Sequence, residues 1–402
     1  MIHVKKYLAG LGVLVVAFFL FNTAQAEKNF EKTGGHRRVI AHTQEEVDGA
    51  LARGCTIVRE AHTVKALRCP DEVASSLSLA DDVRVFALDN DEDSSEVRAT
   101  AGRLRVGIAS AGANEQIGAS LVQTSGNTGV GRKIVILDTG YNYTHPELKS
   151  SYLGGKDFVN NDADPADDNG HGSHVAGIIT ADGIDPNAKG VAPSAGIIAG
   201  KVLDLNGSGY FSDVVAGIYW AVNGPDGVYG TTDDFGADAI SLSLGTSAPY
   251  TYKGSCDGVL PDLTNAIKYA TQHNVTVVVA AGNSGSAGVS LPGCISYSTT
   301  VGAVDGKDKI ASFSGRGSAL DMVAPGVGIY SSVLGSGYAS WSGTSMATPM
   351  VSGVIALMKS AHNSLTTAQV QSKLFSTAKD LGAFGKDTTY GWGRVNAAKA
   401  VQ

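Results

Sequence analysis

From about residue 107 onward, short apolar runs rich in β-branched residues alternate with longer stretches whose apolar positions recur at helical spacing. The pattern predicts strands over 133–137, 196–202, 239–244 and 275–280, and helices over 173–180, 212–222, 262–273 and 345–360. Strands that are apolar on both faces and alternate with helices fit a mostly parallel α/β sheet covered on both sides. The stretch before it, 27–105, follows another pattern. Thr56-Ile57-Val58-Arg59 and Val83-Arg84-Val85-Phe86 alternate like half-buried strands, and 70–79 reads as a helix between them. This predicts a small α+β domain. It ends in the acidic run Asp89-Asn90-Asp91-Glu92-Asp93, which reads as a solvated linker.

The first residues carry an address rather than a fold. Lys5 and Lys6 precede an apolar run over 7–21, and Ala24-Gln25-Ala26 supplies a small-x-small cleavage pattern. That is the layout of a signal peptide. The run is shorter than the roughly 20 residues a membrane span needs, and no later run is longer. Composition adds two exclusions. With 43% hydrophobic and 17% charged residues, most of the 402-residue chain has enough apolar surface to fold. With 31 Lys+Arg against 38 Asp+Glu, the net charge of −7 argues against nucleic-acid binding. The chain has four cysteines, Cys55, Cys69, Cys256 and Cys294. An even count in an exported chain points to disulfides, with three pairings open, and no C-x₂-C spacing suggests zinc.

Four motifs carry the chemistry. Ile134-Val135-Ile136-Leu137-Asp138-Thr139-Gly140 is a buried strand ending in a carboxylate and a turn, where ligands of open α/β sheets bind. Asn169-Gly170-His171-Gly172-Ser173-His174 sets a histidine between glycines at the entry to a helix. Val279-Ala280-Ala281-Gly282-Asn283 follows a strand with an amide able to donate to an oxyanion. Ser342-Gly343-Thr344-Ser345 opens an apolar helix, so Ser345 lies at a positive helix N-terminus; Pro349 after it is an awkward helix residue, best tolerated in a first turn. Taken singly, each has a bland alternative: a turn Asp, a core His, a turn Asn, an N-cap Ser.

Together the four describe one reaction. A serine needs a base to take its proton, histidine is the base suited to neutral pH, and a carboxylate orients it and stabilises its cation. The set predicts Ser345 as nucleophile, His171 as base and acid, Asp138 as orienting carboxylate and Asn283 as oxyanion donor. Asp138-Thr139-Gly140 has no second copy, against an aspartic protease. The order Asp, His, Ser and the absence of G-x-S-x-G exclude an α/β-hydrolase. Two rivals stay open: a metal-dependent hydrolase using His171 and His174, and a catalytically silent peptide-binding module. His174 reads as a hydrogen-bonded core residue.

These segments, in this order, resemble the signatures of the subtilisin-like serine proteases. Gly190-Val191-Ala192-Pro193, Ala324-Pro325-Gly326 and Gly391-Trp392-Gly393-Arg394-Val395-Asn396-Ala397 are similar to further landmarks of that family. The resemblance implies a signal peptide over 1–26, an inhibitory propeptide over 27–106 that is removed near Gly107, and a catalytic domain over 107–402. It implies a secreted endopeptidase working through an acyl-enzyme, with no catalytic cofactor. Its partners would be extended peptide substrates and its own propeptide, with no nucleic acid, no membrane after signal cleavage, and a monomeric state. Gly207, Ser208 and Gly209 would form one edge for the substrate strand, and Ser243, Leu244 and Gly245 the other. Ala281, Gly282 and Ser290 would line the pocket for the residue before the cleaved bond, which contains no acid and so suits an apolar guest. Pairing Cys55 with Cys69 and Cys256 with Cys294 keeps each disulfide within one unit after such cleavage. A structural calcium ion is expected, its ligands unassigned, in the loop holding Asp226, Asp233 and Asp234 or in that holding Asp182, Asp185 and Asn187, with Glu147 at a position where the family often supplies a ligand. The loop over 223–234 and the expansion over 248–261 depart from the family pattern.

Overall fold

The computed structural model describes residues 35–89 and 110–402. The signal-peptide stretch, most of the acidic run and the boundary expected near Gly107 lie outside the described residues. The chain divides into two compact units: residues up to Val58 with Lys65–Arg84, and Arg59–Val64 with Val85–Gln402.

The first unit is α+β. It is built from β1 (His36–Ala41), α1 (Gln44–Leu51), β2 (Thr56–Ala61), β3 (Val64–Pro70), α2 (Asp71–Leu77) and β4 (Ala80–Asp81), with the sheet in the order β2-β3-β1-β4. β1 runs antiparallel to both neighbours. Thr43 caps α1 in a capping box with Glu46, which satisfies two orphan donors reciprocally. Val39, Ala41, Val47, Ala50, Leu67 and Ala74 form a small core around the Cys55–Cys69 disulfide. So few apolar side chains bury little surface, and a covalent bridge compensates in units of this size. Next comes β5 (Arg84–Ala87).

The second unit opens with α3 (Ser110–Gln116) and α4 (Ala119–Thr124). Its centre is a seven-stranded sheet assembled from β6 (Lys133–Asp138), β7 (Tyr152–Asp157), β8 (Gly196–Lys201), β10 (Ala239–Leu242), β13 (Thr276–Ala280), β15 (Thr299–Val304) and β16 (Met322–Pro325). The order is β16-β15-β13-β10-β6-β8-β7, and every pairing is parallel. The helices are α5 (His171–Thr180), α6 (Phe211–Asn223), α7 (Pro261–Gln272), α8 (Thr344–Ala361), α9 (Thr367–Thr377) and α10 (Ala397–Ala400). The remaining short strands are β9 (Ser208–Tyr210), β11 (Leu244–Gly245), β12 (Thr251–Tyr252), β14 (Val289–Ser290), β17 (Ile329–Ser332) and β18 (Tyr338–Trp341).

This is the expected α/β architecture. The predicted strands and helices fall on β6, β8, β10, β13, α5, α6, α7 and α8 within about two residues at most ends. Buried Ile134, Ile136, Val175, Ile178, Met346, Met350 and Val354 share one core, which explains why α5 and α8 are apolar nearly all round. Cys256 and Cys294 are bonded, joining the expansion over 248–261 to the segment after β14.

Candidate active site

Asp138 ends β6 and is fully buried; His171 is the first residue of α5 and is equally buried. The His171 Nδ1–H donates to Asp138 Oδ1 at 2.7 Å. Glycine makes this approach feasible: a Cβ on Gly172 would stand 2.1 Å from the Gly140 carbonyl oxygen. Burial alone would push the imidazole down, but the charge of Asp138 and the bond to it win, and His171 is raised to about 9. Its Nε2 has no hydrogen-bond partner among the described residues.

Two residues not singled out in the sequence brace this pair. Asp167 accepts from Thr139 Oγ1 (2.9 Å), from the backbone N–H groups of Asn169 (3.0 Å), Gly170 (2.9 Å) and Ser173 (2.9 Å), and from Ser173 Oγ (2.5 Å). It therefore ties the turn after Asp138 to the loop that delivers His171. Lys201, almost fully buried, donates to Thr139 O (2.6 Å), Leu203 O (2.9 Å) and Asp168 Oδ1 (2.6 Å). Paired acids just before a glycine-flanked histidine were the available signal for Asp167.

Ser345 lies in the first turn of α8 and is buried. Its Oγ donates to Ser243 O at 2.9 Å and accepts from the backbone N–H of Leu88 at 3.1 Å. Pro349, four residues on, has no N–H to offer the Ser345 carbonyl; Ser243 Oγ donates to that oxygen instead, at 2.9 Å. Ser345 Oγ thus rests on Ser243, not on His171 Nε2.

Asn283 follows β13 after Gly282, whose φ of +88° belongs to the left-handed region. A Cβ on Gly282 would fall 2.1 Å from Ser290 Oγ. The Asn283 Oδ1 accepts from Thr344 N (3.1 Å) and Thr344 Oγ1 (2.9 Å), which fixes the amide so that Nδ2 points the other way. Nδ2 donates to the carbonyl oxygen of Leu88 at 2.9 Å. Thr344 is a further residue the sequence reading did not assign.

Leu88 is the hub of these contacts. The strand before it, β5, completes a three-stranded sheet in the order β11-β5-β9. Ala87 pairs with Leu244 and Phe86 with Gly245, antiparallel. On the other side, Ala87 N donates to Gly207 O at 2.8 Å. Gly207, Ser208 and Gly209 therefore flank one side of this strand and Leu244 and Gly245 the other. Val85 and Leu88 are buried. A Cβ on Gly245 would sit 2.9 Å from Leu88 Cδ1 and 3.3 Å from Ser290 Cβ, so the missing side chain makes room for the leucine. Ala281, fully buried, accepts from Ser290 N at 2.9 Å behind this space.

His174 plays another part. Its Nε2–H faces the carbonyls of Ile329 and Ala339, both at 3.1 Å, and its ring stacks on Trp341 at 4.5 Å. Burial pulls it down to about 3, so it stays neutral. It is the core histidine the sequence suggested. Among the described residues no three His, Cys, Asp or Glu side chains converge as a metal site.

A parallel α/β sheet that brings a buried Asp–His pair, a serine in the first turn of a helix and an amide donor beside one bound strand defines a serine-hydrolase architecture. The chain belongs to the subtilase family, the subtilisin-like serine proteases, whose model matches residues 129–393. It is 41% identical to the thermophilic serine proteinase of Bacillus sp. (strain AK1) over 67% of this chain, a match spanning 62% of that protein's length. It is 40% identical to subtilisin Savinase of Lederbergia lenta over 71% of this chain and 97% of that protein. It is 41% identical to thermitase of Thermoactinomyces vulgaris over 68% of this chain and 90% of that protein.

Structural calcium is typical of this family, and the donor sets of both loops bear on it. In the first, Asp226 accepts from Val228 N, Asp233 from Asp226 N and Thr231 Oγ1, and Asp234 from Gly230 N. In the second, Asp182 accepts from Ser150 Oγ, and Asp185 from Asn187 and Tyr330. Calcium needs six to eight oxygens facing one point. Here most of these oxygens meet nearby N–H and O–H donors, Asp234 Oδ1 is buried without a partner among the described residues, and no three of the side chains converge, so the expected calcium ligands do not fit the ion in this arrangement.

Proposed function

We propose that this chain is a secreted serine endopeptidase, made as a zymogen that cuts itself. One observation carries the reading: a stretch of its own chain lies as an extended strand with the Leu88 carbonyl on Asn283 and the N–H of the same residue on Ser345. Main-chain pairing on both sides is how an extended peptide is held by strand addition.

Ser345 Oγ leaves the Ser243 carbonyl by rotation about χ1 and meets His171 Nε2. The imidazole takes its proton as Oγ attacks the substrate carbonyl carbon. Asp138 stabilises the imidazolium, and Asn283 Nδ2 stabilises the oxyanion. The C–N bond breaks as His171 returns the proton to the leaving amine. Water, deprotonated by the same imidazole, then hydrolyses the acyl-Ser345 ester. No step needs a cofactor.

The same contacts support a self-cleavage bond at Leu88–Asp89 rather than near Gly107. The propeptide is then 27–88, after a signal peptide over 1–26, and the processed chain starts at Asp89. The leader pattern supports export. Partners are extended protein or peptide segments and the chain's own propeptide; the working form is a monomer.

The test uses the full chain. A serine-directed phosphonylating reagent should abolish peptidase activity and label Ser345, whereas a chelator should leave turnover unaffected in a short assay. N-terminal sequencing of the secreted wild type should begin at Asp89. Activity that survives the reagent sinks the serine mechanism; a start elsewhere, with the reagent result intact, moves only the processing site.

A further inference from the structure

Glu147 follows His145-Pro146 and is completely buried. A buried carboxylate is costly unless donors meet its oxygens. Here four do. Oε2 accepts from Gly183 N at 2.7 Å and Ile184 N at 3.1 Å; Oε1 accepts from Asp185 N at 2.6 Å and Tyr338 Oη at 2.9 Å. Three successive backbone N–H groups converging on one point make an anion-binding nest.

The neighbours reinforce this polarity. His145 Nε2–H donates to Gly337 O at 3.0 Å, leaving its Nδ1 to accept from Glu147 N at 3.1 Å. Tyr330 stacks on Tyr338 with ring centres 5.4 Å apart and donates to Asp185 Oδ2. Burial and then its bond to Glu147 push the Tyr338 hydroxyl well above its ordinary range, so it remains a donor.

A calcium ion beside Glu147 would have to stand where three N–H groups and one O–H now point. Those hydrogens repel a cation, and the carboxylate oxygens that would bind it are taken. We infer that Glu147 is a built-in substitute for the ion: its carboxylate latches the 182–185 loop, and this part of the molecule is indifferent to calcium. The latch spans three segments. Glu147 lies beyond the strand that ends in Asp138, the nest lies just past the helix that starts at His171, and Tyr338 belongs to the hairpin that runs into Ser345. One carboxylate therefore closes together the chain segments adjoining all three residues.

The measurement uses the full chain carrying Ser345→Ala, which prevents autolysis. Amide hydrogen exchange at 183–185 should be equally slow in chelator and in millimolar calcium. Glu147→Gln, which turns an amide toward the nest, should lower the Tm by about 5 °C or more, with calcium restoring none of it. Tyr338→Phe removes a single donor and gives a milder version should the first variant not fold. A calcium-dependent rise in Tm of equal size in all these proteins supports the inference, since the ion then acts elsewhere. Faster exchange at 183–185 in chelator, or a calcium-dependent rise that is lost in either variant, overturns it.

Discussion

Leu88 presents its carbonyl oxygen to the side-chain amide of Asn283 at 2.9 Å. Asn283 is oriented from behind by Thr344, the residue next to Ser345. Asn283 and Ser345 are thus tied through one short segment, and both hold Leu88: the amide donates to its carbonyl oxygen and Ser345 Oγ accepts from its backbone N–H.

Replacing Ser345 by Ala should reduce turnover on a peptide substrate by about 10⁴–10⁶, the range established for triads of this kind. Adding His171→Ala should cost little more, because the two act as one proton-transfer unit. Steady-state kinetics of the two single variants and the double variant decides this; losses that multiply would show independent roles. The precursor of Ser345→Ala should also retain its N-terminal segment.

Asn283→Leu keeps the size and removes the donor. We expect kcat to fall about 10²–10³ with KM nearly unchanged, since the charge it stabilises develops in the transition state. A raised KM with unchanged kcat would make Asn283 a ground-state contact only.

On the proposed mechanism, the acid–base behaviour of His171 sets the pH profile. It must be neutral to accept a proton, and in the precursor it is held up at about 9 by Asp138, with smaller contributions from Asp89 and Asp167. Self-cleavage should therefore quicken as pH rises toward that value. The stability linkage has the opposite slope: the raised value stabilises the fold fully below the ordinary histidine pKa, and this is lost as pH rises through about 9. Asp89→Asn removes a negative charge near the ring, so the midpoint of the self-cleavage profile should move to lower pH. A midpoint unmoved or moved upward would contradict this account.

Asp167→Ala leaves the Thr139 hydroxyl and three backbone N–H groups without their acceptor. The Asp–His geometry should loosen, and kcat should fall about 10–100-fold at similar KM, as expected when reacting groups are misplaced by about 1 Å. Asp167→Asn, which keeps one acceptor oxygen, should recover part of the loss. Equal unfolding midpoints with unequal kcat among the three proteins would separate positioning from stability.

The Cys256–Cys294 bridge closes a separation of 38 positions, and such bridges contribute about 2–4 kcal/mol. The Cys256→Ala, Cys294→Ala double variant should melt about 5–10 °C lower while keeping its kcat, because neither sulfur touches the reacting groups. Calorimetry with a parallel activity assay tests both halves.

The features legible in the sequence are those written locally. Continuous apolar runs marked β6, β8, β10 and β13, and those of β6 and β13 lead into Asp138 and Asn283. The strands β15 and β16 were not read: Thr299-Thr300-Val301-Gly302 and Met322-Val323-Ala324-Pro325 mix glycine, proline and hydroxyl residues, and only their neighbours in the sheet make them strands. Asp138, His171, Asn283 and Ser345 stood out because glycine turns or a helix start bracket them. Asp167, Lys201 and Thr344 did not, since their roles come from partners brought close only by the fold. Leu88 was hidden for the same reason, as nothing in Phe86-Ala87-Leu88 says which edge will receive it. The acidic loops are ambiguous in the sequence. Asp clusters look alike whether they face a cation or their own backbone, and only the direction of the N–H groups distinguishes the two.

On the proposed function, β9 and β11 hold a substrate as they hold β5, mainly through its backbone. A segment of about four residues must be flat, with both edges free, before it can enter. Residues inside a helix or a paired strand of a folded protein cannot meet that demand without opening first. Local unfolding free energy then becomes a filter on substrates: at equal sequence, a loosely held loop is cut far sooner than the same residues within a stable core. Side-chain preference selects among bonds, but the victim's own conformational freedom decides whether a bond is offered at all.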